Sequence, residues 1–324
     1  MKKVALAAVA ALAVTAAPAF GADMPTKGPV AIVAPPPPAW DVAFGSAIAS
    51  DYVWRGITQS NHKPAVAAYF EPRYNIHKDL QLYAGIGGAS ISFPNRAAAE
   101  VDFYAGIRPT WGKLAFDFGV WYYWYPGGQV YDNLSVNTTI FPSGNVIKAD
   151  VSFWEIYGKV NYAVTDAFSL GAFVYYSPSV LNTGADGVYF GGNAKYAFPA
   201  FANGVQFYVS GDVAYWDLGT SDSFYGTTVA SPAGGGPFPG GIKYASYTTW
   251  SAGIGWTWKV FTVDLRYTDT DLSKADCNAF TSDNTAQLTG DFSPINPGGF
   301  GSSWCGQRFT ARLSADLTIN TNVK

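Results

Sequence analysis

Apolar and polar side chains alternate along one stretch of this chain after another, and this pattern restricts the fold more than any other feature. In KLAFDFGVWYYWY, residues 113–125, the side chains of Leu114, Phe116 and Phe118 share one face of an extended chain, whereas Asp117 lies on the other face. VFTVDLRYTD (260–269) and RFTARLSADLTI (308–319) repeat the pattern. A period of two indicates β-strands whose two faces meet different surroundings.

The same alternation predicts about twelve strands, and ten to fourteen remain compatible with the pattern. Many of these strands exceed 10 residues, whereas strands of soluble proteins usually have about 5–6 residues and tilted membrane strands about 9–11. Their lengths therefore favour strands that cross a bilayer. The predicted ranges are 40–55, 65–75, 80–93, 98–110, 113–125, 150–165, 167–177, 187–198, 205–217, 243–258, 260–271 and 306–319.

The predicted connections alternate between short turns and longer loops. Outer-membrane barrels have this arrangement, with short periplasmic turns and long external loops. In hydrocarbon every backbone polar group needs a partner within the protein, so strands cross a membrane only as a closed barrel. The fold class is therefore all-β, an antiparallel up-and-down transmembrane β-barrel. An even number of strands places both ends of the barrel on the periplasmic side.

The segment before residue 40 has a different composition, without the alternation of apolar and polar residues. Residues 1–21 read as a signal peptide, with a basic start, an apolar stretch and cleavage after Gly21; cleavage after Ala19 is the alternative. Residues 22–39 form a Pro-rich periplasmic tail, which favours an extended spacer without a core. Residues 40–324 form the outer-membrane β-barrel. We therefore expect the protein in the outer membrane of a Gram-negative bacterium.

The two cysteines, Cys277 and Cys305, are an even pair in an exported chain. The periplasm is oxidising, so a disulfide bond between them is favoured over a metal site. A metal site would need further ligands, and no histidine is near either cysteine in the sequence. The bond would close part of the last external loop.

Eighteen charged residues of the predicted strands, nine of each sign, share one parity, which marks the inner face of the barrel. An Arg or Lys facing the middle of the bilayer would cost about 2–4 kcal/mol. Apart from Asp41 and Lys113 at the ends of strands, these residues are predicted to line the pore. The sixteen predicted pore-lining residues are Asp51, Arg55, Glu71, Arg73, Asp102, Arg108, Asp117, Glu155, Lys159, Lys195, Asp212, Asp264, Arg266, Arg308, Arg312 and Asp316.

Within DYVWRGITQS, residues 51–60, the first strand is predicted to run to Arg55, and Gly56 lets the chain turn into the first loop. On that interpretation, Asp51 and Arg55 point inward near the external rim and pair with charges on neighbouring strands. Aromatic residues collect at the two membrane interfaces of such barrels. The predicted aromatic girdle consists of Trp40, Tyr52, Trp54, Tyr122 and Trp124.

The motif SDYVWRGITQS, residues 50–60, follows a signal peptide and a first alternating strand. It resembles the signature of the TorF-type porin family, also called Gcw_chp, of proteobacterial outer-membrane β-barrels whose function is poorly defined. The resemblance implies a location and a channel role, without naming a solute. Many outer-membrane barrels end in an aromatic residue, whereas the last aromatic residue here is Phe309.

The charged inner face and the resemblance favour a porin that gives small hydrophilic solutes or ions a path for passive diffusion. The alternative is a structural or adhesive barrel with a filled lumen, whose external loops bind partners. Eight-stranded barrels are filled and barrels of 16–18 strands hold open channels, so about twelve strands leave both functions open.

An enzymatic function is not expected. The chain has two histidines, His62 and His77. Hydrolysis by a Ser–His or Asp–His pair needs histidine as the base. His62 falls in the first external loop and His77 in a periplasmic turn, so they cannot share a site. We predict no catalytic residue, metal or cofactor, and interpret Asp269 and Asp271 as solvated side chains at the rim.

The expected partners follow from this location. They are outer-membrane lipid, lipopolysaccharide and small solutes or ions, with peptidoglycan as a candidate partner of the Pro-rich tail. The near balance of 20 Lys and Arg against 23 Asp and Glu argues against nucleic acid. A homo-oligomer is compatible with the sequence.

Overall fold

Twelve long strands form a closed barrel in a computed structural model that describes residues 38–132, 146–228 and 230–323. The predicted signal peptide and residues 22–37 of the predicted tail lie outside the described residues. The strands are β1 (Trp40–Ala49), β2 (Ala65–His77), β3 (Leu80–Ala89), β4 (Glu100–Trp111), β5 (Leu114–Trp124), β6 (Phe153–Ala163), β7 (Phe168–Ser177), β8 (Gly187–Ala197), β9 (Gln206–Leu218), β10 (Tyr247–Trp258), β11 (Phe261–Thr270) and β12 (Arg308–Thr318).

Each strand pairs antiparallel with its neighbours in the chain, and β1 closes the barrel by pairing with β12. Ala43 lies opposite Thr318 at one end of this seam and Ala49 lies opposite Arg312 further along. The predicted fold class and the count of twelve strands are confirmed. All backbone groups along the wall therefore have a strand on both sides, as a membrane requires.

The outer wall of the barrel is apolar. Phe118, Ile156 and Ile254 are each about half exposed on it. Their neighbours Asp117 and Glu155 are buried, so adjacent residues meet opposite surroundings. An apolar band of this kind around a closed barrel suits hydrocarbon. No helix in the described residues is long and apolar enough to cross a membrane.

The two ends of the barrel differ in their connections. The short-turn end carries the connections 78–79, 112–113, 164–167, 198–205 and 259–260, together with the start of β1 and the end of β12. The long-loop end carries six connections: loop 1 (50–64), loop 2 (90–99), loop 3 (125–152), loop 4 (178–186), loop 5 (219–246) and loop 6 (271–307). The alternation of short and long connections predicted from the sequence is present.

Loop 6 contains the one α-helix of the described residues, α1 (Lys274–Thr281), which the sequence pattern did not predict. The hydroxyl of Ser273 caps this helix by accepting a hydrogen bond from the backbone N–H of Asp276. The disulfide bond between Cys277 and Cys305 is confirmed, with the two Cα atoms 5.9 Å apart. It joins the helix to the end of the loop, just before β12.

The first strand is shorter than predicted. β1 ends at Ala49, and loop 1 forms a small hairpin in which Val53–Trp54 pairs with Ile57–Thr58. The turn of this hairpin needs two residues with positive φ, Arg55 at 48° and Gly56 at 79°. Glycine takes that conformation without strain. The chain therefore leaves the wall after residue 49 and bends into the barrel.

Candidate functional site

Loop 1 enters the lumen from the long-loop end, and we call residues 51–60 the plug. Tyr52 and Trp54 are almost completely buried there. The indole of Trp54 packs edge-on against Trp216 of β9, with ring centroids 5.0 Å apart, and against Tyr123 of β5, at 5.9 Å. Buried aromatic pairs of this geometry stabilise a structure beyond the burial of their area. The plug is thus packed against the inner wall.

Arg55 is the deepest charge of the plug. Its Nη2 donates to Oε2 of Glu155 on β6, 2.7 Å away. The guanidinium carbon lies 4.4 Å from the ring centroid of Tyr189 and 4.5 Å from that of Trp216, within the range of cation–π attraction. Burial is the largest single influence on the pKa of Arg55 and lowers it, but the negative Glu155 together with Tyr123 and Tyr189 raises the pKa above its ordinary value. The cation is therefore held by one carboxylate and a set of aromatic rings.

Other plug residues are tied to other strands. Asp51 accepts a hydrogen bond from the guanidinium of Arg308 on β12, at 3.1 Å. The hydroxyl of Tyr52 donates to Glu100 on β4, at 2.6 Å. The plug is therefore attached on several sides of the lumen. Asp51 pairs with a charge on β12, which neighbours β1 as the sequence predicted. The prediction for Arg55 is wrong, because the inward bend carries it to Glu155 on β6, which does not neighbour β1.

The other long loops pack over the plug and form an apolar cap. Phe93, Val151, Tyr225, Phe280 and Trp304 come from loops 2, 3, 5 and 6 and belong to one buried cluster with Trp54. A cavity of about 40 Å³ remains between them. The half of the lumen next to the long loops is consequently dry and filled with side chains.

The half of the lumen next to the short turns is charged instead. On one side, Glu71 of β2 binds Arg108 of β4 through two hydrogen bonds, of 2.7 and 3.1 Å, and also accepts from Arg73. Asp117 of β5 lies 3.5 Å from the guanidinium of Arg108. Paired hydrogen bonds between arginine and a carboxylate are among the stronger ones in proteins.

A second charged cluster lies on the opposite side of the barrel. Arg266 of β11 donates to Asp264 at 3.1 Å and lies 3.9 Å from Asp212 of β9. The hydroxyl groups of Ser210 and Ser251 each accept a hydrogen bond from Arg266 at 2.8 Å. Each cluster therefore holds both signs of charge, which suits an inner face without a strong preference for either.

Solvent reaches the two halves of the lumen unequally. The side chains of Arg108, Arg266 and Asp212 are 21%, 26% and 26% exposed although they lie on the inner face. Arg55 and Glu155 are only 4% and 1% exposed. The charged half is therefore wet, and the plug separates it from the long-loop end.

A family model described as "Bacterial protein of unknown function (Gcw_chp)" matches residues 34–294. The chain belongs to this family. The resemblance to Gcw_chp seen in the sequence is thereby confirmed, and the TorF-type porin designation stays a prediction. No curated protein matches the sequence.

Several solved structures resemble this Gcw_chp chain in fold. An outer membrane channel from Pseudomonas putida F1 is 7% identical, with a TM-score of 0.43, over 87% of this chain and 96% of that one. The NanC porin is 9% identical, with a TM-score of 0.40, over 85% and 98%. The toluene transporter TodX of Pseudomonas putida is 12% identical, with a TM-score of 0.38, over 87% and 89%. Values this low do not bear on the function of the chain.

The predicted girdle of the Gcw_chp barrel needs one correction. Trp40, Tyr122 and Trp124 are exposed on the outer wall. Tyr52 and Trp54 are not on that wall, because the chain turns inward after Ala49 and buries both rings in the lumen. The alternation that predicted outward-facing rings for Tyr52 and Trp54 holds only within β1, which ends before them.

The predicted pore-lining residues are divided between the two halves of the lumen. The plug and its partners contain Asp51, Arg55, Glu155 and Arg308, and the two charged clusters contain Glu71, Arg73, Arg108, Asp117, Asp212, Asp264 and Arg266. The remaining ones also lie on inward-facing positions: Asp102 beside Trp121, Lys159 over Tyr157, Lys195 over Tyr208, Asp316 beside Tyr69, and Arg312 opposite Asp264. Their role in a pore stays a prediction.

Sequence reasoning missed the aromatic residues of the inner face. Tyr83, Tyr157, Tyr175, Tyr189 and Trp216 are buried inside the barrel. Tyr157, Tyr189 and Trp216 share the parity of the inward charges on their strands, and this is the signal that could have identified them. It also missed Glu100, which has the parity of Asp102 and accepts hydrogen bonds from Tyr52 and Tyr125.

Proposed function

We propose that the protein is an outer-membrane β-barrel of a Gram-negative bacterium that gives small hydrophilic solutes or ions a passive path across the membrane. One observation carries this proposal: charged side chains such as Arg266 and Asp212 are partly exposed to solvent inside a barrel whose outer wall is apolar. Water in contact with both signs of charge favours small polar solutes over apolar ones.

The path is closed by the plug in the conformation described here. Trp54, Arg55 and the cap fill the half of the lumen next to the long loops. Conduction therefore requires the plug to move away from Glu155 and Trp216. We propose that the plug is the gate of the channel and that its attachments determine how often it opens.

Single-channel recording on refolded protein in planar bilayers tests the channel. The wild type should show rare conductance steps. The double variant Arg55→Ala/Glu155→Ala removes both charges of the central ion pair, so it should open more often. A barrel that is folded, as judged by its heat-sensitive migration in gels, and that shows no steps in either form would overturn the proposal.

A structural or adhesive barrel is the second candidate, because the packed plug and cap are also what a filled lumen would contain. In that case the external loops would bind partners. Silent recordings from both proteins, together with surface binding that is lost when loop 5 is shortened, would favour this function.

The remaining partners are proposals as well. Lipid and lipopolysaccharide would surround the apolar wall. The Pro-rich tail would extend from the short-turn end and contact peptidoglycan, and incubation with purified sacculi would test this by retention of the full chain and loss of a chain lacking residues 22–37. Cross-linking in native membranes would show whether the barrels associate.

A further inference from the structure

Three side chains at the mouth of the long-loop end form a chain of contacts through His62, and neither contact of this histidine is needed to hold the plug or to form a channel. Nε2 of His62 lies 3.5 Å from the hydroxyl oxygen of Ser303. Nδ1 of the same ring lies 3.4 Å from Oδ2 of Asp51. Serine on one ring nitrogen and a carboxylate on the other is the arrangement of a serine hydrolase. Distances slightly longer than a hydrogen bond are common in such sites before substrate binds.

The acid of this site is held firmly. Oδ1 of Asp51 accepts hydrogen bonds from the hydroxyls of Thr58 and Ser60, and Oδ2 accepts one from Arg308. Asp51 is buried, whereas the side chain of His62 is 42% exposed. The buried carboxylate can therefore orient the imidazole ring of His62 from the lumen side, while the exposed part of the ring faces the external medium.

The histidine is fixed by its backbone. His62 has a φ of 59°, which is unusual for a residue other than glycine, and its N–H donates to the hydroxyl of Thr58 at 3.1 Å. Residues held in such conformations occur preferentially at functional sites. Thr58 thus contacts both the acid and the base, because it donates to Asp51 and accepts from His62.

Ser303 is brought to this position by loop 6. The backbone N–H of Thr58 donates to the carbonyl of Trp304 at 3.0 Å, and the indole of Trp304 donates to Oδ1 of Asn61 at 3.1 Å. Cys305, two residues after Ser303, is covalently bound to Cys277. Two segments far apart in the chain are therefore joined on each side of the Ser303–His62 contact, and the Ser303 side chain stays exposed.

We infer that Ser303, His62 and Asp51 form a hydrolytic site for carboxylic esters that opens to the external medium. Ser303 is the nucleophile, His62 is the general base and Asp51 orients the imidazole. This activity goes beyond the channel function and does not depend on it. It also departs from the prediction that the chain is not an enzyme, which considered His62 only beside its sequence neighbours.

The reaction is balanced with water as the second substrate. The Ser303 oxygen attacks the ester carbonyl carbon while His62 Nε2 takes the hydroxyl proton. The C–O bond to the alcohol then breaks, and the alcohol leaves with the proton from His62, so that an acyl-Ser303 ester remains. A water molecule next gives a proton to His62 and attacks this ester. The carboxylic acid departs, and the proton returns to Ser303.

The neighbouring cavity favours a short acyl group. Thr58 and Trp304 line the cavity of about 40 Å³ under the cap, together with the apolar side chains of Ile57 and Phe93. Its volume is a few times the roughly 10–15 Å³ that a cavity needs to hold one water molecule, so it has room for a small group only. Acetate esters therefore fit better than esters of long fatty acids.

The test is hydrolysis of p-nitrophenyl acetate by the full-length refolded barrel, with labelling by a fluorophosphonate probe. We expect wild-type protein to hydrolyse the ester and to carry the label on Ser303, as located by peptide mass spectrometry. Ser303→Ala and His62→Ala should each lower the rate at least about a hundredfold, because members of such a triad act as one unit. His77→Ala, at the other end of the barrel, should keep the wild-type rate.

Heat-sensitive migration in gels must show that each variant is folded. The location of the label on wild-type protein is a second measurement that needs no variant. Wild-type hydrolysis no faster than that of Ser303→Ala, or a label on another residue, would overturn the site. Faster hydrolysis of p-nitrophenyl octanoate than of the acetate would overturn the assignment of the cavity.

Discussion

Arg55 in loop 1 and Glu155 on β6 are joined by a hydrogen bond of 2.7 Å in the dry half of the lumen, where neither side chain is more than 4% exposed. Two charges removed from water in this way are stable mainly as a pair. The contact therefore holds the plug in place. It also means that removal of either charge would leave the other one buried without a partner.

Glu155→Ala should destabilise the barrel by about 3–5 kcal/mol, because it leaves the charge of Arg55 buried and unpaired. Urea or guanidinium unfolding in detergent micelles measures this change in the free energy of unfolding. Asp79→Ala is the matched control, since Asp79 pairs with Lys78 in an exposed turn. Exposed pairs contribute at most about 1 kcal/mol. Equal effects of the two substitutions would contradict the importance of the buried pair.

Removal of the disulfide bond should loosen loop 6 while the wall of the barrel stays intact. The bond closes a segment of 28 residues, for which a stabilisation of about 2–4 kcal/mol is usual. In the variant Cys277→Ser/Cys305→Ser we expect faster cleavage within residues 271–307 in limited proteolysis. The strands should resist cleavage as in the wild type, and unchanged cleavage of the loop would show that other contacts hold it.

Arg266→Gln should make the channel select cations. The substitution removes one positive charge and leaves the carboxylates of Asp264 and Asp212 facing solvent in the lumen. The reversal potential across a KCl gradient should shift accordingly, measured in the plug-loosened variant where openings are frequent. Asp264→Asn is the matched control and should shift it in the other direction. A reversal potential that neither substitution changes would place these residues outside the ion path.

Ile254→Arg tests the outer wall. Ile254 lies near the middle of β10 and is 52% exposed on the apolar face. An arginine there should cost about 2–4 kcal/mol if the face meets hydrocarbon. Unfolding of the barrel in lipid vesicles measures the cost, and Ile254→Leu should have little effect. If arginine were tolerated as well as leucine, the band would not lie at the centre of a membrane.

The sequence predicted the wall of the barrel well because period-two alternation is a local property. A strand such as β5 shows its two faces within thirteen residues, from Lys113 to Tyr125. The disulfide pairing was also predictable, since only two cysteines are present.

The interior was less predictable because its contacts are not local. Nothing near Tyr52 or Trp54 in the sequence shows that the chain turns inward at residue 50, since the alternation continues through DYVWR. The positions of Glu155 and Trp216 beside Arg55 depend on closure of the whole barrel. The proximity of Ser303 to His62 likewise depends on how loops 1 and 6 pack together.

The seam between β1 and β12 has a consequence for biogenesis. Ala43 meets Thr318 there, so the first strand to be synthesised finds one of its two neighbours only when the last has arrived. Until then, both strands have an edge with unpaired backbone N–H and C=O groups, and another chain could pair with these edges. We expect the nascent polypeptide to depend on chaperones that shield those edges, and truncation before residue 308 to yield aggregates instead of a smaller barrel.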